Sequence, residues 1–123
     1  MAQVPEQSAK AWANFVYRYQ SECICATGVN PVAVNKWLFN NEFPEDACLK
    51  CFIACINKRL DLINPDGSIN YEKNIQIIKY IPGTNPEITN NCTRETINIT
   101  DVCEKSFKYS YCVQAALIQG AKN

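Results

Sequence analysis

Histidine is absent from the 123 residues of the chain. That absence removes Ser-His-Asp and Cys-His nucleophilic sites, histidine-bearing zinc sites and the histidine-dependent phospholipase site. It also removes the one side chain that ordinarily titrates between about pH 5 and 8. Neither sign of charge is in excess: 12 basic residues face 12 acidic ones, for a formal net charge of zero. An electrostatic footprint for nucleic acid or an anionic membrane is therefore lacking. No apolar run approaches the roughly 18 residues that cross a bilayer. The N-terminus has no uninterrupted apolar stretch of the signal-peptide kind, so the chain reads as a mature secreted protein with Met1 added for expression. Repeats, low-complexity tracts and linkers are missing too, which implies one domain over residues 1–123. A chain of that length buries about two-thirds of its unfolded surface.

Cysteine is what the chain has in abundance. Eight cysteines stand at positions 23, 25, 48, 51, 55, 92, 103 and 112. An even number in a small chain suits a disulfide framework made in an oxidising compartment. The sequons Asn91-Cys92-Thr93 and Asn98-Ile99-Thr100 fit the same setting. A four-thiolate metal site needs a second Cys-x-x-Cys beside Cys48–Cys51, and none exists. No strand precedes that pair and no βαβ pattern surrounds it, which argues against thioredoxin-like chemistry. No metal, cofactor or catalytic group is expected, and the chain does not read as an enzyme.

The hydrophobic pattern is helical nearly throughout. Trp12, Phe15, Val16, Tyr19 and Cys23 predict a first helix from about Ser8 to Cys23, broken by Thr27-Gly28. Asn30-Pro31 supplies a cap and a first-turn proline for a short second helix carrying Val34, Trp37 and Leu38. Pro44-Glu45-Asp46 opens a third, whose apolar stripe runs Leu49, Phe52, Ile53, Ile56, Leu60 and Ile63. After the turn Asn64-Pro65-Asp66-Gly67-Ser68, Asn70 caps a fourth helix through Ile75, Ile78 and Tyr80. Pro86 begins a fifth, and Asp101 a sixth that runs to Gly120, with Glu104 at capping-box spacing. The fold class is all-α, six helices in a single disulfide-stapled domain.

Cys48, Cys51 and Cys55 follow one stripe of the third helix. Cysteines one turn apart have Cβ atoms about 5–6 Å apart, against the roughly 3.5–4.5 Å of a disulfide. They must pair outward, with other elements. Cys103 and Cys112 point to opposite sides of the sixth helix and should also reach different partners.

The spacing Cys51-x3-Cys55, then 36 residues to Cys92, 10 to Cys103 and 8 to Cys112, resembles the cysteine signature of insect odorant-binding proteins. In Cys23-Ile24-Cys25-Ala26-Thr27-Gly28, Cys23 takes the place of the family's first cysteine, at the end of helix one. The turn and helix start at residues 64–73 are similar as well, and the resemblance spans about residues 8–118. It implies the bridges Cys23–Cys55, Cys51–Cys103 and Cys92–Cys112. Cys25 and Cys48 exceed the six-cysteine pattern; a fourth bridge, Cys25–Cys48, is the economical inference. In the alternative, Cys25 takes the first-cysteine role and Cys23 pairs with Cys48.

The resemblance further implies a shell around an apolar cavity that carries a small apolar or weakly polar molecule, such as an odorant or pheromone, through extracellular fluid. An olfactory receptor as a further partner, a monomer or weak homodimer, and no nucleic-acid or membrane partner belong to the same implication. Positions after the paired cysteines of the third helix face the ligand in that family; here they are Ile53 and Asn57, with Asn57 as a polar tether or else a solvent-facing amide. Val16, Tyr19, Ile75, Ile78, Tyr111 and Val113 are the other candidate ligand contacts, with ordinary core packing standing beside each. Trp37 either caps the cavity or packs beneath the third helix. The tail, residues 113–123, is expected to cover an opening. Rival readings are a lipid-transfer protein, which needs an adjacent Cys-Cys pair that is absent; a saposin-like membrane protein; and a salivary or venom scavenger of biogenic amines or lipids, or a protein-interaction module, on the same fold.

Overall fold

A computed structural model describes residues 4–121. Among them are seven helices and no strand, with one isolated bridge between Ile63 and Ile69. The helices are α1 (Glu6–Tyr17), α2 (Gln20–Thr27), α3 (Pro31–Asn40), α4 (Ala47–Arg59), α5 (Tyr71–Ile78), α6 (Pro86–Thr96) and α7 (Val102–Ala121).

Most helix starts follow from local chemistry. Side-chain oxygens of Asn30, Asp46, Asn70, Asn85 and Asp101 accept hydrogen bonds from backbone N–H groups of the following turn. Each bond satisfies a donor that the helix itself leaves free. Pro31 and Pro86 fill first-turn positions where no N–H is needed. Gly28 ends α2 at φ 70°, a left-handed conformation that glycine adopts without strain.

Two local expectations fail. The single first helix is two, α1 and α2, broken at Arg18–Tyr19, where N–H groups turn back to Phe15 and Val16 carbonyls. No glycine or proline marks the break; the apolar stripe continues because both pieces share an inner face, where Val16 and Cys23 are wholly buried. Glu104 does not serve as the capping-box residue. It pairs with Lys50 of α4 at 2.7 Å, and Lys50 also holds Glu45 at 2.6 Å.

Helix α4 is central, packed against α2 and α7, while α6 lies along α7. Three disulfides tie these four helices: Cys23–Cys55 joins α2 to α4, Cys51–Cys103 joins α4 to α7, and Cys92–Cys112 joins α6 to α7. This is the pairing that the resemblance implies. Their sequence separations of 32, 52 and 20 residues correspond to about 3–4 kcal/mol each in the chain-entropy model. The fourth bridge is not formed in either expected arrangement, and Cys25 and Cys48 are free and exposed. Cys25 lies about 200° around α2 from Cys23, so turning Cys23 inward to Cys55 turns Cys25 outward. Cys48 is a further seven residues up α4 from Cys55, about 10 Å along the axis.

The core packs around Trp37, which has no exposed surface and meets Trp12 and Phe52 edge-on at 6.4 and 6.2 Å. Val16, Val34, Leu49, Phe52, Ile53 and Ile56 are buried around it.

Candidate functional site

Beside this core the helices leave a cavity of about 90 Å³. Helix α1 contributes Ser8, Ala9 and Trp12; α3 contributes Leu38. Asn57 of α4 and Leu62 just beyond it form one side, and Asn74, Ile77 and Ile78 of α5 face them. Ile81 and Thr84 come from the α5–α6 turn, Ile88 and Thr89 from α6. Tyr109, Ser110, Val113, Gln114 and Leu117 bring two stripes of α7 to the wall, and Val4 completes it. No Asp, Glu, Lys or Arg is among these described lining residues.

Polar groups in the wall are mostly paired. Asn74 donates to the carbonyls of Leu62 and Asn70 at 3.1 and 2.7 Å, fixing α5 to the loop after α4. Tyr109 donates to Asn74 Oδ1 at 3.2 Å, a tie from α7 to α5. Burial pushes the Tyr109 phenol up to about 12, with Thr89 and Thr93 hydroxyls pulling weakly the other way. It therefore stays a neutral donor over the physiological range. Trp37 donates its indole N–H to Ser110 Oγ at 3.2 Å. Gln114 is buried, and its Oε1 has no hydrogen-bond partner among the described residues.

The α5–α6 turn contributes the remaining side. Ser8 donates to the Pro82 carbonyl at 2.5 Å, and Gly83 sits at φ 87° against Leu117. A Cβ on Gly83 would stand 3.0 Å from Leu117 Cδ2, so the turn approaches α7 as closely as glycine allows.

Of the candidates from sequence, Asn57, Ile78 and Val113 line the cavity. Asn57 is buried, which removes the solvent-facing alternative, while Ile53, one turn earlier, belongs to the core. Val16 is likewise core, and Trp37 packs among aromatic rings beneath the cavity rather than capping it. Tyr19 is half-buried against the core and Ile75 half-buried away from the cavity. Tyr111 is 54% exposed, packs on Phe43 and lines a second, more open groove between α6 and α7. Of the expected tail, Val113, Gln114 and Leu117 line the cavity as part of α7 and residues 119–121 are exposed; Lys122 and Asn123 lie outside the described residues. Sequence reasoning missed Trp12, Asn74, Tyr109 and Gln114. Helical spacing puts Tyr109, Val113 and Leu117 on one stripe, but periodicity does not distinguish a stripe that meets a cavity from one that meets side chains.

Known proteins agree with this architecture. The solved structure of odorant-binding protein dmelOBP28a from Drosophila melanogaster superposes with a TM-score of 0.70, covering 92% of this chain and 98% of that one at 17% identity. General odorant-binding protein 19d of Drosophila melanogaster is 28% identical over 101 residues, which are 76% of this chain and 65% of the relative's length. The chain thus spans just under two-thirds of that relative. The model of the PBP/GOBP family matches residues 6–116. An uncharged cavity walled by stapled helices, with that match across most of the chain, places the protein in the PBP/GOBP family, whose members are binding proteins and not enzymes.

Proposed function

We propose that the protein is a secreted carrier that reversibly buries a small apolar or weakly polar molecule, of the odorant or pheromone kind, in the cavity between α1 and α4–α7. The observation that carries this reading is the lining: aliphatic and aromatic groups, a few polar ones, and no charge among the described residues. No bond is made or broken; apolar surface leaves water on both partners. Each buried methylene contributes about 0.8 kcal/mol, and a micromolar complex needs about 8 kcal/mol.

The cavity is smaller than the roughly 300–1,000 Å³ of typical ligand sites. A ligand therefore enters by moving part of the wall outward. The wall segments that carry no disulfide, and so are free to move, are α1, α3, α5 and the α5–α6 turn. An olfactory receptor as a downstream partner, and a monomer–dimer equilibrium, belong to the same proposal.

A scavenger of amines is the second reading. A buried ammonium needs a carboxylate partner, and none is among the described lining residues. Competitive displacement of a fluorescent apolar probe from the delipidated protein separates the two. Uncharged volatiles should displace it at micromolar concentration and biogenic amines should not; displacement by amines alone, or failure of the probe to bind, refutes the carrier.

A further inference from the structure

The polar groups of the cavity differ in whether they already have partners. Tyr109, Asn74, Ser8 and Thr84 each donate to an oxygen of the protein. Gln114 is different: it is 7% exposed, it lines the cavity, and its Oε1 is buried with no donor to it among the described residues. It continues a polar strip along α7 at helical spacing, through Ser110, which accepts from Trp37, to Ser106, whose Oγ is also buried with no partner among the described residues. A buried acceptor left without a donor destabilises the empty protein, and a ligand that supplies the donor relieves that cost.

Resting on the carrier reading above, we propose that Gln114 selects for a hydroxyl donor, making aliphatic alcohols the preferred ligands over aldehydes, esters or hydrocarbons of equal size. An aldehyde or ester offers only acceptors, so burying one leaves Gln114 Oε1 as it was. A protonated amine offers donors but brings a charge that nothing in the described lining neutralises. An alcohol donates to Oε1 while its chain packs on Ile77, Ile78, Ile88 and Leu117. Its own oxygen can also accept, which the amide nitrogen of Gln114 or Asn57 can answer.

The test is displacement of the fluorescent probe by primary octanol, octanal and nonane, which match in heavy-atom number, on the native protein and on Gln114→Met. Octanol should compete at about tenfold lower concentration than the other two, and Gln114→Met should level the three. Without ligand, Gln114→Met should also melt about 3–6 °C higher, since an orphaned buried acceptor is replaced by an apolar group of similar shape. Equal competition by octanol and octanal on the native protein overturns the assignment and leaves the carrier standing. Competition by none of the three overturns both. A preference for octanol that persists in Gln114→Met, or a lower melting point in that variant, removes Gln114 from the role; should the variant not fold, the native comparison decides.

Discussion

Two halves of the molecule are held by different means. Helices α2, α4, α6 and α7 are joined by three covalent bridges, and the largest helix contact, α4 on α7, runs through them. Helices α1, α3 and α5 and the α5–α6 turn meet them at the cavity with no bridge at all. That side is held by apolar packing and a few hydrogen bonds, notably Ser8 to Pro82 and Tyr109 to Asn74. A disulfide of this kind contributes about 3–4 kcal/mol, whereas a neutral hydrogen bond contributes about 1. A carrier gains from that inequality: one half keeps its shape while the other gives way to the ligand.

Removing a staple is the strongest way to break the comparison. The double substitution Cys51→Ser with Cys103→Ser opens the bridge of longest separation, 52 residues, and should lower unfolding stability by about 4 kcal/mol in denaturant titrations. A loss no larger than that of a hydrogen bond would mean that packing, not stapling, makes the first half stiff.

The next effect is alkaline and concerns the tie across the cavity. The Tyr109 pKa is raised from 10.0 to about 12 in the folded protein. A raised value means stability present below the unfolded pKa and lost as pH climbs through the folded one, here from pH 10 to about 12. The loss should approach about 2–3 kcal/mol, and Tyr109→Phe should abolish that part of the slope. Cys25 and Cys48 should be serine in both proteins, since free thiolates attack disulfides at high pH.

A smaller effect tests the loose half itself. Ser8→Ala removes the hydrogen bond to Pro82 and should cost about 1 kcal/mol. Probe association should quicken, and amides of α5 and the following turn should exchange with solvent faster, while those of α4 and α7 do not change. Uniform acceleration would place the two halves in one cooperative unit.

The smallest effect is the pH response between 5 and 7, where binding should change less than tenfold. No histidine exists and no ionisable carboxylate or amine is in the described lining. The shifted surface groups lie outside that window. Hydrogen bonding to Lys50 lowers Glu45 from 4.5, so its contribution disappears only at more acid pH; hydrogen bonds from Glu104 and Glu45 raise Lys50 from 10.5, so its contribution disappears only at alkaline pH.

How far the sequence could be read depended on the range of the interaction. Caps at Asn30, Asn70 and Asp101 act within one turn and were legible as such, whereas Asp46 read only as an acidic residue at a helix start and proves to be its cap. The break at Arg18–Tyr19 was not, because no local breaker residue marks it and the apolar stripe runs on through Val16 and Cys23, both buried in one core. Cys25 and Cys48 looked like a fourth pair when only counted; direction around each helix separates them. Ile53 and Asn57 share a face of α4, yet one ends in the core and the other at the cavity, because a single turn of about 5.4 Å crosses the boundary between them.

By itself, then, the sequence determined an all-α chain, most of its helix starts, the outward pairing of the cysteines that form its bridges and the absence of histidine chemistry. These depend on residue identity and on spacing along one helix. The tertiary structure alone decided where the interior stays unfilled, which stripe of α7 meets that space, and which polar atom there is left without a partner. Those are set by how several helices approach one another, and no single stretch of sequence holds that information.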